Sequence, residues 1–185
     1  MTAFKFGSVL PSGEVVEHRY SSCWEVEKTT GPERLVIAPT SGYIPLLVDL
    51  MRRLPEPFGI LYVLTVSRCD QEVGRYQSPY PTDREETAGF LKTYREYFER
   101  DGRHHVWVMS LPAEATLVYD NHNVIYAYGP LADFQTSLEV SGLERGDVRF
   151  PVPHHHLYNA EFDGYERSII KHWDWVTFPL QPGDS

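Results

Sequence analysis

The stretch from residue 104 to residue 128 constrains the fold more than any other part of the chain. It reads HHVWVMSLPAEATLVYDNHNVIYAY, and its content of Val, Ile, Tyr and Trp is typical of β-strands. Pro-Ala-Glu and Asp-Asn-His-Asn interrupt these apolar runs, and both sequences favour turns. Because the runs are apolar on both faces, the stretch predicts three successive strands in the covered middle of a sheet.

Helical spacing appears elsewhere in the chain. One helix is predicted to begin at Pro45, and a second at a capping box formed by Thr82 and Glu85. A third is predicted after Gly129-Pro130, and a fourth over residues 158–173. Because the strands come in runs with helices between the runs, the pattern favours an α+β fold. We expect a mainly antiparallel sheet of about six to eight strands with about four helices packed on it.

Composition indicates a chain that forms one globular domain over residues 1–185. Its 17 basic and 26 acidic residues give a net charge of −9, which argues against nucleic-acid binding and suits a basic protein partner. No apolar run is long enough for a membrane span, and the first residues lack the pattern of a secretory signal. Two cysteines, Cys23 and Cys69, are too few for a disulfide framework, so a cytoplasmic location is expected.

Histidines offer the clearest candidate chemistry. In an extended chain, His154 and His156 would point the same way, and imidazole is the commonest metal ligand. A complete site would need further ligands, and His122, Asp120 or Cys69 would have to be brought there by the fold. No spaced ligand motif is present in the sequence. The expectation is therefore no cofactor, with a divalent metal at His154 and His156 in a small hydrolase as the alternative.

Cys69 is a second candidate, because Arg68 beside it would favour the thiolate. A nucleophilic cysteine also needs a histidine base, and the sequence places none near it. An inert, partly buried cysteine is the favoured interpretation.

Tyrosine and arginine carry much of the binding energy at protein interfaces. Both are prominent in the long loop of residues 68–82, and two tyrosines lie on the last of the three predicted strands. The favoured function is a non-enzymatic cytosolic binding protein, in one version an acidic immunity- or antitoxin-like protein that covers a basic partner. A small-molecule sensor with a tyrosine-lined pocket is a further alternative. The predicted binding residues are Arg68, Arg75, Tyr76, Tyr80, Tyr126 and Tyr128.

Overall fold

The computed structural model describes residues 3–184, and these contain a nine-stranded sheet and a three-stranded sheet. The strands are β1 (Phe6–Val9), β2 (Val15–Glu17), β3 (Cys23–Glu27), β4 (Arg34–Ala38), β5 (Phe58–Leu64), β6 (Gly74–Gln77), β7 (His104–Ser110), β8 (Ala115–Tyr119), β9 (Ile125–Tyr128), β10 (Glu144–Arg145), β11 (His154–His156) and β12 (Val176–Phe178). The helices are α1 (Tyr43–Met51), α2 (Arg84–Thr93), α3 (Arg95–Arg100), α4 (Leu131–Val140) and α5 (Asp163–Ile170).

The large sheet has the strand order β10-β3-β4-β9-β8-β7-β5-β6-β12. The three strands predicted over residues 104–128 are β7, β8 and β9, and they lie in its middle, which confirms the prediction. All pairings within residues 3–184 are antiparallel except that of β10 with β3. Because β5 pairs antiparallel with β7, the segment between them is not a parallel crossover.

The α+β class is confirmed, but the predicted size of the sheet is wrong. Residues 3–184 form nine strands in one sheet and three in another, where a single sheet of about six to eight strands was expected. Two strands of the large sheet, β6 and β10, have only four and two residues. Runs that short carry too few positions to show the two-residue periodicity from which strands are predicted.

Two helix boundaries also differ from prediction. The cap of α2 is Asp83, whose side chain accepts a hydrogen bond from the backbone N–H of Glu86 at 2.8 Å. Thr82 lies one residue earlier, and its hydroxyl donates to the carbonyl of Phe58 at 3.2 Å, so the predicted capping box is wrong by one residue. The helix predicted to begin at Pro45 begins two residues earlier.

Across residues 3–184, no helix combines the length and apolar character that crossing a membrane would need.

The two faces of the large sheet are covered differently. Side chains alternate along β7, so that Val106 and Val108 join the main core with the helices. His105 and Trp107 point to the opposite face. Phe6, on β1 of the three-stranded sheet, joins a second core on that opposite face. The small sheet thus covers one end of the helix-free face and leaves a cavity on the remainder.

Candidate metal centre

Three histidines from two distant segments converge beside the small sheet. His154 and His156 lie two residues apart on β11, so their side chains share a face, as predicted. His122 comes from the turn between β8 and β9. Each of the three offers a ring nitrogen within 4.8 Å of the other two. The ring of His122 lies 4.6 Å from that of His156 and 5.3 Å from that of His154, between centroids. The fold therefore supplies a third candidate ligand.

The turn that carries His122 is organised by Asp120. The carboxylate of Asp120 accepts hydrogen bonds from the backbone N–H groups of His122 and Val124, both at 3.0 Å. Its second oxygen lies 2.9 Å from Nδ1 of His122. Asn123 takes the left-handed conformation with φ of 62°, which asparagine tolerates better than most residues. One side chain thus holds both the turn and the orientation of the imidazole.

Pairing with β1 holds β11 in place. His156 lies opposite Phe6 in the register, and His154 lies opposite Ser8. The Phe6 ring is fully buried, and its centroid is 5.2 Å from those of His122 and His154 and 5.4 Å from that of His156. Phe6 therefore packs against all three imidazoles and sets their spacing.

Each of the three imidazoles has its Nδ1 beside an oxygen that can only accept. Nδ1 of His154 is 2.9 Å from the carbonyl oxygen of Pro151, and Nδ1 of His156 is 3.1 Å from that of Asn121. In a neutral imidazole the proton then sits on Nδ1, which leaves the Nε2 lone pair free. A metal-binding histidine characteristically shows this arrangement, with an outer oxygen that orients the ring.

The charges at the site suit a cation. Burial, together with the neighbouring His122, lowers the pKa of His156 to about 4, so this imidazole is neutral at physiological pH and able to ligate. Burial alone would raise the pKa of Asp120, but the hydrogen bond and charge of His122 outweigh it and lower that pKa. The site therefore combines the neutral imidazole of His156 with the ionised carboxylate of Asp120.

The histidines stand at the edge of a cavity of about 750 Å³, a size within the range of small-molecule sites. His122 and His154 both line it, so a metal ion there would be reached from the cavity. The wall formed by the sheet and the loop after β10 includes Trp107, Val118, Asp120, Tyr126, Tyr128 and Phe150.

The predicted binding residues do not come together at one surface. Tyr126 and Tyr128 line the cavity, whereas the other four do not. Of these, Arg75 lies on β6 with its guanidinium carbon 5.5 Å from the ring centroid of Trp107, a residue of the cavity wall. Three have partners within the chain: Arg68 with Asp163 at 3.2 Å, Arg75 with Asp184 at 2.7 Å, and Tyr80 with Glu86 at 2.9 Å. The fourth, Tyr76, is buried. The basic protein partner stays a prediction from the net charge of −9.

Cys69 lies away from the three histidines. Its sulfur contacts the carbonyl oxygen of Asp163 at 3.4 Å and a guanidinium nitrogen of Arg167 at 3.1 Å. Burial and the carboxylates of Glu166 and Asp163 raise the pKa of this thiol. The prediction that Arg68 would favour the thiolate is therefore wrong, and the preference for an inert cysteine agrees with this environment.

Phe6, Trp107 and the carbonyl groups that orient His154 and His156 were not predicted as parts of a site. One local pattern did indicate the histidine site. Asp120 and His122 stand two residues apart in a turn, a spacing at which the aspartate carboxylate can bind the imidazole and orient it. The packing of Phe6 leaves no such pattern, since it depends on a pairing between β1 and β11 that spans about 150 residues.

Comparisons of the chain with protein-family models, with curated proteins and with solved structures found no match in any of the three. The function proposed for the protein therefore depends on the histidine site and the cavity beside it.

Proposed function

We propose that the protein is a mononuclear metal-dependent hydrolase, with His122, His154 and His156 as ligands of a divalent cation, zinc in the first instance. The observation that carries this proposal is the convergence of three imidazoles whose Nδ1 atoms are all engaged by oxygen acceptors. Three protein ligands with a fourth position left for water or substrate are typical of catalytic zinc sites, whereas structural sites use four.

Hydrolysis is the chemistry that such a ligand set supports best. Zinc held by three imidazoles would lower the pKa of a bound water to about 7 and would so supply hydroxide near neutral pH. The protein's part is to orient the ligands, through Asp120 and the two backbone carbonyls, and to provide a cavity in which a small substrate can reach the open position.

We expect the purified chain to bind about one equivalent of zinc, measured by elemental analysis after dialysis and by calorimetric titration. His154→Ala and His156→Ala should each weaken zinc binding by at least a hundredfold, because two imidazoles do not complete the site. His155→Ala is the matched control: His155 lies between them on β11 but is exposed and faces the other way. Equal zinc affinity in all three variants would contradict the assignment.

The same samples test the hydrolase itself. The zinc-loaded chain should hydrolyse members of a panel of chromogenic carboxylic and phosphoric esters. A chelator and His156→Ala should abolish the activity, and His155→Ala should retain it. Stoichiometric zinc without any turnover would contradict the hydrolase proposal. It would favour the small-molecule sensor instead, for which the lining of the cavity by Tyr126 and Tyr128 is the supporting observation.

Asp120 offers a separate test of the ligand geometry. Asp120→Asn keeps the size of the side chain but removes the charge that orients His122. We expect zinc affinity to fall about 10- to 100-fold, as for other outer partners of metal-bound histidines. Asp147→Asn, at an exposed carboxylate paired with Arg149, should leave the affinity unchanged. If both variants bind zinc like the wild type, Asp120 has only a role in the turn.

A further inference from the structure

A second cavity lies among the helices that cover the other face of the large sheet, away from the histidine site. Its volume is about 470 Å³, within the range of small-molecule sites. α1 forms one side of it, and the end of α2 with the start of α3 forms the other. None of its described lining residues also lines the cavity beside the histidines. A ligand bound here would therefore not contact the proposed metal centre.

Two contacts show how the helices face each other at this cavity. At the beginning of α2, a guanidinium nitrogen of Arg84 donates to the carbonyl of Leu54 at 2.9 Å, just beyond the end of α1. On α3, the carboxylate of Glu99 accepts the backbone N–H of Ile44 at 2.8 Å, in the first turn of α1. α1 thus runs antiparallel to α2 and α3. As a result, residues 92–95 lie beside the second half of α1, where they line the cavity.

The lining of this second cavity is basic in an acidic protein. Among its described residues, Arg52, Lys92 and Arg95 stand against one carboxylate, that of Asp49. The whole chain, by contrast, has 17 basic and 26 acidic residues. Like charges gathered around one cleft repel each other and attract a ligand of the opposite charge. The cavity therefore favours an anion.

The three cations keep donors that a ligand can reach. Arg52 contacts Asp49 at 3.4 Å through one terminal nitrogen, and Arg95 contacts Glu99 at 3.2 Å through Nε. A guanidinium carries five N–H donors, so each arginine has others to offer. The side chains of Arg52 and Arg95 are 62% and 46% exposed, and Lys92, also exposed, forms no ion pair within residues 3–184. Because Glu99 is also bonded to the first turn of α1, Arg95 is held at the cavity before a ligand binds.

From these observations we propose that the second cavity binds a small phosphate monoester with a short aliphatic group. The three terminal oxygens of the phosphate would accept hydrogen bonds from Arg52, Lys92 and Arg95, and both arginine and lysine are common phosphate ligands. A phosphate also carries a charge of about −2 at neutral pH, which suits three cations better than a carboxylate does. The aliphatic group would lie against Pro45 and Val48, the apolar part of the lining beside them. This site does not depend on the proposed hydrolase.

Butyl phosphate is the probe for this site, and calorimetric titration of the zinc-free chain at low ionic strength measures its binding. We expect it to bind about tenfold more tightly than pentanoate, which carries the same butyl group on a carboxylate. Inorganic phosphate, which lacks the aliphatic group, should also bind more weakly than butyl phosphate. Added salt should lower all three affinities, because the donors are exposed. No detectable binding of butyl phosphate, or equal affinity for pentanoate, would overturn the proposal.

Variants place the phosphate at the three cations. Lys92→Gln and Arg95→Gln should each weaken butyl phosphate binding about tenfold, because each removes one charged donor. Arg53→Gln is the matched control: it removes the same charge beside Arg52, at an exposed residue that does not line the cavity, and should bind like the wild type. His156→Ala should also leave the affinity unchanged. An equal loss in Arg53→Gln would indicate attraction by surface charge alone, and a loss in His156→Ala would move the phosphate to the histidines. Either result would overturn the proposal.

Discussion

Replacing Arg103 by Met is expected to lower the free energy of unfolding by about 3–5 kcal/mol at neutral pH. The Arg103 side chain is fully buried. It binds both carboxylate oxygens of Asp101, at 2.7 and 3.0 Å, and it also contacts Glu166. Asp101 and Glu166 are themselves fully buried. The substitution therefore leaves two carboxylates in the interior without their cation, and this is the source of the loss.

Chemical denaturation of wild type and variant measures this effect, and its pH dependence gives a second readout. Without Arg103, the pKa values of the two carboxylates should rise in the folded variant. The folded variant would then hold more protons than its unfolded chain, so its deficit in stability should shrink between pH 7 and about pH 5. Arg100→Met is the control, because Arg100 forms ion pairs with partly exposed Glu96 and Glu161 that contribute at most about 1 kcal/mol. A loss no larger for Arg103 than for Arg100 would contradict the prediction.

The stability of the wild type should rise between pH 7 and pH 9 because of Lys5, by roughly 2 kcal/mol. Lys5 is fully buried; its amine donates to the carbonyl of Phe98 at 3.0 Å and lies 3.9 Å from the centroid of the Tyr119 ring. Burial lowers its pKa from 10.5 to about 7, and Asp120 and Asp101 oppose this only in part.

The sign follows from the protons bound in each state. Between pH 7 and pH 9 the unfolded chain keeps the lysine proton while the folded chain releases it, so raising the pH favours folding. Urea denaturation across this range should show the rise in wild type, and Lys5→Met should lack it. Lys28→Met, at an exposed position, should keep the wild-type slope. Parallel profiles for the wild type and Lys5→Met would show that Lys5 keeps its ordinary pKa.

Local patterns predicted those parts of the fold that depend on neighbours in the chain. The strands over residues 104–128 were predicted correctly because apolar runs and turn residues alternate there over short distances. The shared orientation of His154 and His156 was predicted for the same reason, since it needs only an extended backbone. Short edge strands such as β10 were not predicted, because pairing rather than local sequence makes them strands.

By itself, the sequence determined the α+β class, the central strands and the orientation of two of the three histidines. The tertiary structure alone decided that His122 joins them and that Phe6 packs beneath all three. It also decided that the cavity opens on the helix-free face of the sheet. The physical reason is that these contacts join segments far apart in the chain, whose meeting depends on strand pairing and burial. Periodicity within one segment indicates which way a side chain points, but it carries no information on which distant residues that side chain will contact.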